Sequence, residues 1–294
     1  MDDLKPWLRD KQKEVDSALG RLLPRESAKP QTIHKAMRYS IFAGGKRLRP
    51  ILCLAAAEAC GGKTEDALAP ACATEVMHTY SLVHDDLPCM DDDDLRRGRP
   101  TSHKVFGEGM AVLTGDALLT EVFTIIAQTP ATKRYGVKEY VDEIATTGGS
   151  KKLIGGQILD LEGEGKQLTR KDLIKIHEAK TAALLTASVR LGAMTANATP
   201  RKLEAMTTFG YNLGLAFQVI DDILDVTQTT EVLGKTAGKD EAVDKSTYPA
   251  ILGLDASRKE AARLTRKALK ALDVLGKRGK RLEQIARYLL EREY

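Results

Sequence analysis

The sequence predicts an all-α protein, and three observations lead to this prediction. Apolar residues recur at spacings of three and four along most of the 294 residues, which is the period of an amphipathic helix. The alternation of β-branched and aromatic residues that is typical of strands is nearly absent, and aromatic residues make up only 5% of the chain. The segments between the periodic runs are short and contain glycine or proline. We therefore expect ten or more helices.

The helical runs follow one another along the whole chain. The first clear stripe is Ile33, Met37 and Ile41, and a second follows the Gly44-Gly45 break at Leu54 and Ala57. Later stripes contain Val112, Leu118, Val122 and Ile126, then Leu184, Val189 and Leu191, and residues 258–294 alternate basic and apolar positions at the same period. No break is long enough or rich enough in serine and glycine for an interdomain linker, so we expect one domain over residues 1–294.

Composition excludes several classes of protein. An apolar content of 43% argues against disorder, and 45 basic against 41 acidic residues, a net charge of +4, does not indicate a dedicated nucleic-acid binder. No run approaches about 18 to 20 uninterrupted apolar residues, since the most apolar segment, 51–57, ends at Glu58. We therefore expect no nucleic-acid partner, no membrane span and no secretory signal peptide.

The cysteines predict a reducing compartment. Cys53, Cys60, Cys72 and Cys89 form neither a C-x-x-C pair nor a zinc-binding spacing. The expected location is the cytoplasm, or an organelle stroma if a targeting segment has been removed.

One acidic cluster lies within an otherwise apolar helix. Gln218, Asp221, Asp222 and Asp225 are separated by steps of three, four and seven, so they share one helix face. Carboxylates on such a face repel one another and are costly to desolvate, and a bound cation is the usual remedy. Oxygen ligands without histidine or cysteine favour Mg²⁺.

A second acidic cluster lies earlier in the chain and is denser. It contains Asp85, Asp86 and the run 91–94, and Pro88 interrupts the helix between its two parts. His78, Ser81 and Asp85 are spaced three and four apart, again on one face. Because Mg²⁺ is usually shared between carboxylates and substrate phosphates, two such clusters predict a phosphate- or diphosphate-bearing substrate between them.

Basic residues accompany both clusters. Gly44-Gly45-Lys46-Arg47-Leu48-Arg49-Pro50 places a flexible turn before three cations, and Arg96-Arg97 follows the first cluster directly. Glycine lets the backbone approach an anion, and arginine offers a planar fork to phosphate oxygens. Lys180-Thr181 lies in an amphipathic run, and three further lysines follow the second cluster: Lys235, Lys239 and Lys245.

Together these residues resemble the trans-polyprenyl diphosphate synthases, the family of farnesyl and geranylgeranyl diphosphate synthases. The first aspartate motif, D-D-x-x-x-x-D, is residues 85–91, and the similarity continues to Thr101. The second, D-D-x-x-D, is residues 221–225. The G-G-K-x-x-R-P motif is residues 44–50, and the K-T motif is Lys180-Thr181. The resemblance covers nearly the whole chain. It implies a bundle of antiparallel helices around a deep central cavity, a homodimer, and the two aspartate motifs facing each other across the cavity mouth.

The resemblance also implies the reaction and its residues. The enzyme would condense isopentenyl diphosphate with an allylic diphosphate, dimethylallyl or geranyl, and release diphosphate, using three Mg²⁺ ions. The implied metal ligands are Asp85, Asp86, Asp91, Asp221 and Asp225. The implied catalytic residues are Asp85, Asp86, Asp91, Asp221, Asp222 and Lys180. The implied contacts of the allylic diphosphate are Arg96, Lys180, Thr181, Gln218, Lys235 and Lys245, with Lys239 nearby. The implied isopentenyl site contains Gly45, Lys46, Arg49, His78 and Arg97.

Product length is expected to depend on the residues four and five positions before the first aspartate. Here these are Ser81 and Tyr80, and Tyr80 lies about 7.5 Å down the helix from Asp85 at 1.5 Å per residue. On an ideal helix Tyr80 points about 140° away from Asp85, so its role is carried from the family. Tyr followed by Ser resembles the bacterial type that stops at farnesyl diphosphate. The segments 103–108 and 33–40 also resemble geranylgeranyl enzymes, so a twenty-carbon product is the alternative.

Alternative functions from other classes of protein are also considered. A class I terpene cyclase shares the fold and the metal chemistry, but usually replaces the second D-D-x-x-D with an Asn/Ser/Glu triad, which is not found near residue 221. A non-catalytic subunit of a heteromeric prenyl synthase would tend to lose one or both aspartate motifs, and here both are intact. His84 and His103 are not assigned as bases, because the departing diphosphate can accept the proton.

Overall fold

The computed structural model describes residues 3–227 and 247–290, and it is almost entirely helical, as the sequence predicts. Lys235, Lys239 and Lys245 lie outside the described residues. The helices of the first half are α1 (Leu4–Leu22), α2 (Gln31–Ile41), α3 (Leu48–Cys60), α4 (Thr64–Asp85), α5 (Ser102–Phe106), α6 (Glu108–Ile126) and α7 (Val137–Gly148). One antiparallel ribbon, β1 (Leu95–Arg96) with β2 (Arg99–Pro100), was not predicted and folds the chain back after the first aspartate cluster.

The second half continues with α8 (Leu153–Gly163), α9 (Arg170–His177), a π-helical turn (Glu178–Ala182), α10 (Ala183–Thr195) and α11 (Pro200–Thr227). After residue 246 come α12 (Tyr248–Leu252), α13 (Leu254–Ala271), a 3₁₀ segment (Leu272–Gly279) and α14 (Lys280–Leu290). Side-chain oxygens cap two of these helices, because the hydroxyls of Thr169 and Thr247 accept the backbone N–H groups of Asp172 and Ala250.

Two clusters of buried apolar residues form the core, and α3 and α10 contribute to both. Ile51 of α3 and Val189 of α10 belong to the cluster around α11 and α13. Leu54 of α3 and Leu184 of α10 belong to the cluster around α4 and α6. These two helices are therefore buried around nearly their whole circumference, which explains their alanine-rich, almost uncharged sequences.

Helix α6 is long and apolar enough, by length and composition alone, to cross a membrane. The sequence analysis overlooked it because Asp116 and Glu121 interrupt its apolar run. In the structure Leu118, Val122 and Ile125 are fully buried in the core cluster that α6 shares with α4. The helix therefore packs one face against the core, while Val112 and Leu113 are exposed.

A buried ion-pair network anchors the turn between α2 and α3. Arg47 is 3% exposed, adopts a left-handed φ of 50°, and donates to the Asp16 carboxylate at 2.7 Å and to Glu75 at 2.9 Å. A third hydrogen bond joins it to the carbonyl of Ile41 at 2.8 Å. Because Glu75 is itself 2% exposed, either charge without the other would be buried and uncompensated. Arg47 thus fixes the conformation in which Lys46 and Arg49 are presented.

We predict that Glu75→Ala lowers the free energy of unfolding by about 3 kcal/mol, because it leaves Arg47 buried with only Asp16 to compensate it. Urea denaturation measures the change. The matched control is Asp142→Ala, which breaks the exposed pair with Lys138 at 3.2 Å and should cost less than about 1 kcal/mol. Equal effects in the two variants would contradict the anchoring role of Arg47.

Candidate active site

A cavity of about 430 Å³ opens between α4, α6, α8 and the π-helical turn. Its polar lining includes Arg49, His78, Asp85, Lys180 and Thr181, all predicted from the sequence as site residues. Most of the remaining wall is apolar, including Leu153, Ile158, Leu161, Leu184 and Met90. The deep cavity predicted for the bundle is therefore present, and it combines charged groups with a wall suited to hydrocarbon.

Asp85 is the carboxylate of the first cluster that lines the cavity. Burial raises the pKa of Asp85 to about 6; Lys180 opposes this rise, and the neighbouring Asp91 and Asp86 carboxylates add to it. The chain turns back at this point, since the backbone N–H of Asp91 donates to the carbonyl of Asp85 at 2.8 Å. Asp85 is thus ionised at neutral pH against a desolvation cost that a bound cation would offset.

Asp86, the next residue, is engaged elsewhere. Its carboxylate is 5% exposed and accepts Nε of Arg96 at 2.7 Å and Nη2 at 2.5 Å. It faces a space of about 30 Å³ next to Tyr39 and Thr101, rather than the large cavity. The sequence predicted Asp86 as a metal ligand and Arg96 as a diphosphate contact; the structure brings the two together.

The predicted isopentenyl site is assembled from three elements. Arg49 has a buried Nε without a hydrogen-bond partner among the described residues, and burial lowers its pKa to about 10. The pKa of His78 lies well below its usual value, first through burial and then through the charges of Arg49 and Arg97, so the imidazole is neutral. Arg97 donates to the carbonyl of Gly44 and covers Gly45, where any Cβ would overlap the guanidinium.

Lys46 faces a different space from its neighbours. It lines a cavity of about 280 Å³ that also contacts Lys5, Arg9 and Leu289. Gln12 of α1 donates to the carbonyl of Gly45 at 2.9 Å and holds this side of the turn. Of the three cations in the G-G-K-x-x-R-P motif, Arg49 alone lines the large cavity.

Asp160 is a site residue that the sequence analysis missed. It lies on α8 and accepts Nζ of Lys180 at 2.6 Å, with a side chain only 11% exposed. Gly156 allows this contact, because a Cβ there would lie 2.5 Å from the backbone nitrogen of Lys180. The signal was present in the segment Gly155-Gly156-Gln157-Ile158-Leu159-Asp160, where small residues precede two polar residues three apart.

The second aspartate cluster is connected to the cavity through Thr181. Its hydroxyl donates to Oε1 of Gln218 at 3.0 Å, which places the Gln218 face of α11 beside the cavity wall. Asp221 is half-buried and Asp225 is buried on this same face, in agreement with the predicted spacing.

Asp222 lies deeper than a cavity-facing ligand would. It is 4% exposed and accepts Nε2 of Gln218 at 3.2 Å and the backbone N–H of Tyr248 at 3.0 Å. The ring of His177 stacks on that of Tyr248 with centroids 5.5 Å apart, and its Nε2 lies 4.0 Å from the Asp222 carboxylate. Asp222 therefore joins α11 to the start of α12.

The two residues predicted to control product length both line the cavity. Tyr80 is 4% exposed, and burial raises its pKa to about 12. Ser81 donates to the carbonyl of His78 at 2.9 Å and is held within α4. The cavity wraps around α4 widely enough to include both Asp85 and Tyr80, although an ideal helix separates them by about 140°.

The donor set fits Mg²⁺. Within residues 3–227 and 247–290, the single group of three ligands that already converge is Asp92, Asp94 and His103, on the segment after the first cluster. Among the described residues, Asp85, Asp91, Asp221 and Asp225 form no such converging group. That is the arrangement expected for Mg²⁺, which binds through one or two carboxylates and completes its octahedron with water and phosphate oxygens.

Comparisons with known proteins agree with this geometry. The polyprenyl synthetase family model matches residues 30–286. A chloroplastic geranylgeranyl pyrophosphate synthase of Capsicum annuum is 51% identical over 83% of this chain and 67% of its own length. The farnesyl diphosphate synthase of Bacillus subtilis (strain 168) is 45% identical over 89% of this chain and 91% of its own length. The crystal structure of a Helicobacter pylori geranyltransferase complexed with magnesium and isoprenyl diphosphate superposes with a TM-score of 0.84, at 34% identity, over 99% of this chain and 97% of that one.

The fold and the cavity thus define an all-α isoprenoid synthase. The chain belongs to the polyprenyl synthetase family, and it is a short-chain trans-prenyltransferase.

We predict that Mg²⁺ affinity falls as the pH falls through about 6, because protonated Asp85 cannot act as a ligand. Folding raises the pKa of Asp85 from 3.8 to about 6, so its proton is lost on going from pH 5 to pH 7. Below pH 6 the affinity should drop about tenfold per pH unit. Calorimetric Mg²⁺ titrations at pH 5, 6, 7 and 8 test this, with Asp85→Asn as the control that lacks the titrating group. Equal affinities at pH 5 and pH 7 would contradict the prediction.

Proposed function

We propose that this protein condenses isopentenyl diphosphate with dimethylallyl and geranyl diphosphates to give farnesyl diphosphate. The observation that carries the proposal is the cavity itself, which is lined by ionised Asp85, by Arg49, whose Nε has no partner among the described residues, and by an apolar wall. Such a cavity suits two diphosphates, one held through metal ions and one through cations, whose hydrocarbon parts meet away from water.

The allylic diphosphate is assigned to the side of Asp85. Lys180 and Thr181 line the cavity there, and Gln218 is bonded to Thr181. Arg96 completes this set, together with Lys235 and Lys245 beyond the described residues. Asp160 holds Lys180 at 2.6 Å and keeps its ammonium in place before the substrate arrives.

Isopentenyl diphosphate is assigned to Arg49, His78 and Arg97. Neutral His78 is surrounded by cations, so it offers a hydrogen bond without adding charge. The guanidinium of Arg49 lines the cavity, its Nε has no partner among the described residues, and it can donate a charge-assisted hydrogen bond to a phosphate oxygen. Gly45 and Lys46 are assigned to the outer edge of this site, although the Lys46 side chain lines the neighbouring cavity of about 280 Å³.

Three Mg²⁺ ions are assigned to Asp85, Asp91, Asp221 and Asp225, with Asp86 at the margin. When bound, the ions neutralise the negative charge that develops on the departing diphosphate. Because Asp86 is paired with Arg96 and Asp222 with the backbone of Tyr248, we assign both a positioning role. Asp86 holds Arg96, and Asp222 fixes the start of α12 through the backbone N–H of Tyr248.

The reaction then follows from this arrangement. The allylic C–O bond breaks and its electron pair leaves with diphosphate, which Lys180 stabilises by hydrogen bonding. The double bond of isopentenyl diphosphate attacks the allylic cation and forms the new carbon–carbon bond. The proton lost from the neighbouring carbon passes to the departed diphosphate. Apolar residues such as Leu184 and Leu161 exclude the water that would otherwise capture the cation.

Product length is assigned to Tyr80. Its ring is 4% exposed and lines the cavity one and a half turns below Asp85, where a growing chain would meet it. Farnesyl diphosphate is the product expected from this floor. Geranylgeranyl diphosphate is the alternative product, and its longer hydrocarbon would have to pass beside Tyr80.

We further infer that residues 1–294 form one domain that pairs as a homodimer. Among the described residues eleven large apolar side chains are exposed, and six of them lie on α5, α6 and α8. Val112, Ile154 and Ile158 also line the cavity, whereas Val105, Leu113 and Leu159 do not. Such a concentration is typical of an association surface, and closed twofold pairing is the commonest solution for one. A reducing compartment such as the cytoplasm is proposed from Cys53, Cys60, Cys72 and Cys89, all of which are free thiols.

The dimer is tested with Leu113→Glu, since Leu113 is 55% exposed and does not line the cavity. Burying a new charge at the interface should shift sedimentation from dimer to monomer at micromolar concentration. Val226→Glu, at a side chain 54% exposed on α11, is the control and should leave the dimer intact. A monomeric parent protein would contradict the assignment.

The metal assignment is tested with Asp85→Ala and Asp221→Ala. Each should lower kcat by roughly three orders of magnitude or more, because charge on the leaving diphosphate is no longer neutralised. Circular dichroism should show an intact helical fold. Asp116→Ala, an exposed carboxylate on α6, is the control. Near-normal turnover in either active-site variant would remove the assignment.

Product length is tested by incubating the purified protein with Mg²⁺, isopentenyl diphosphate and each allylic starter, and sizing the dephosphorylated products by mass. We expect a fifteen-carbon product from dimethylallyl and geranyl diphosphates, and refusal of farnesyl diphosphate as a starter. A twenty-carbon product would retain the mechanism and overturn the role of Tyr80. Absence of elongation with every starter would overturn the proposed reaction.

A further inference from the structure

His84 is clamped between α4 and α6. Its Nε2 lies 3.0 Å from the backbone carbonyl of Val112, so the proton is on Nε2 and donates to that oxygen. The ring lies directly over Gly115, because a Cβ built on Gly115 would overlap three of its atoms. The absence of a side chain at Gly115 therefore leaves room for the imidazole at this helix crossing.

The same ring forms part of the cavity wall. His84, Tyr80 and Val112 all line the cavity, and the rings of Tyr80 and His84 meet edge-to-face with centroids 6.0 Å apart. His84 stands one turn above Tyr80 on α4 and lies between the Tyr80 ring and the Val112 carbonyl of α6.

We propose that His84 and Gly115 act together with Tyr80 as determinants of product length. Gly115 sets the position of the imidazole, and the imidazole closes the cavity on the α6 side. The inference rests on the proposed condensation reaction. It adds His84 and Gly115 to Tyr80 as residues that limit the length of the product. His84 takes no part in proton transfer in this scheme; its contribution is the position and volume of its ring.

Two substitutions should move the product in opposite directions. His84→Ala removes the ring and joins the space above Gly115 to the cavity, so the ratio of the next longer product to the parent product should rise about tenfold. Gly115→Ala expels the ring from α6. The backbone of α6 blocks one side, so the imidazole moves towards Tyr80 and the ratio of shorter to parent product should rise by a similar factor.

The double variant separates a specificity role from a general packing role. The three nearest neighbours of a Cβ on Gly115 all belong to His84. Gly115→Ala should therefore have little effect on product length in the His84→Ala background, whereas independent packing defects would add. Gly109→Ala is the matched control, since Gly109 lies on the same helix and no atom lies within 4 Å of its Cβ. It should leave the product distribution unchanged.

A conservative variant tests the hydrogen bond to Val112. His84→Gln retains an amide N–H that can reach the carbonyl, and it should restore most of the parent product distribution relative to His84→Ala. Thermal unfolding of each variant shows whether it folds. If Gly115→Ala does not fold, the comparison of His84→Ala with His84→Gln still decides the proposal.

Product distributions are measured with Mg²⁺, isopentenyl diphosphate and geranyl diphosphate. If the parent protein elongates the starter but His84→Ala and Gly115→Ala give parent products, this inference alone is overturned. If the parent protein elongates no starter, the proposed reaction itself fails. A shift in both single variants that is purely additive in the double variant would also contradict the coupling of His84 and Gly115.

Discussion

The chain holds charges of both signs around one cavity and prevents them from neutralising each other. Among the described residues, the two cations that lower the pKa of Asp85 are bound to other carboxylates, Lys180 to Asp160 and Arg96 to Asp86. Elsewhere at the site, Arg47 pairs with Glu75, and Arg49 retains a buried Nε without a partner in the described part of the chain. An ionised carboxylate and a guanidinium thus remain available to ligands at a desolvation cost that the rest of the fold offsets. The other features of the site follow from this separation.

Close helix packing produces the separation. Gly156 lets α8 approach the π-helical turn until Asp160 reaches Lys180. Gly115 lets α6 approach α4 until His84 reaches the carbonyl of Val112. In both cases a missing side chain on one helix allows a polar group on the other to be held at a fixed place. Fixed polar groups are what an electrostatic mechanism needs, since they do not have to reorganise during the reaction.

Local pattern was sufficient for part of this structure. Helical period predicted the fold class, because it depends on residues within two turns of each other. Spacing predicted Gln218, Asp221, Asp222 and Asp225 on one face, but the carboxylate of Asp222 is buried and accepts the backbone N–H of Tyr248. The direction of Asp86, the pairing of Lys180 with Asp160 and the burial of Arg47 could not be predicted in this way. Each depends on a partner far along the chain or on a ribbon that only tertiary packing defines. The predicted diphosphate contacts Lys235 and Lys245 lie outside the described residues, 3–227 and 247–290.

The π-helical turn at Glu178–Ala182 shows how the fold presents two polar residues at once. In a regular α-helix, adjacent residues such as Lys180 and Thr181 are separated by 100°. The wider turn reduces this angle, so both line the cavity, while Ala182 remains fully buried against α11. Turns of this kind are less stable than α-helix and occur often at functional sites. Here the cost is offset by three contacts that only this geometry allows together: Lys180 with Asp160, Thr181 with Gln218, and Ala182 with the core. The π-helical turn therefore allows one segment to line the cavity with Lys180 and Thr181 and to pack Ala182 in the core.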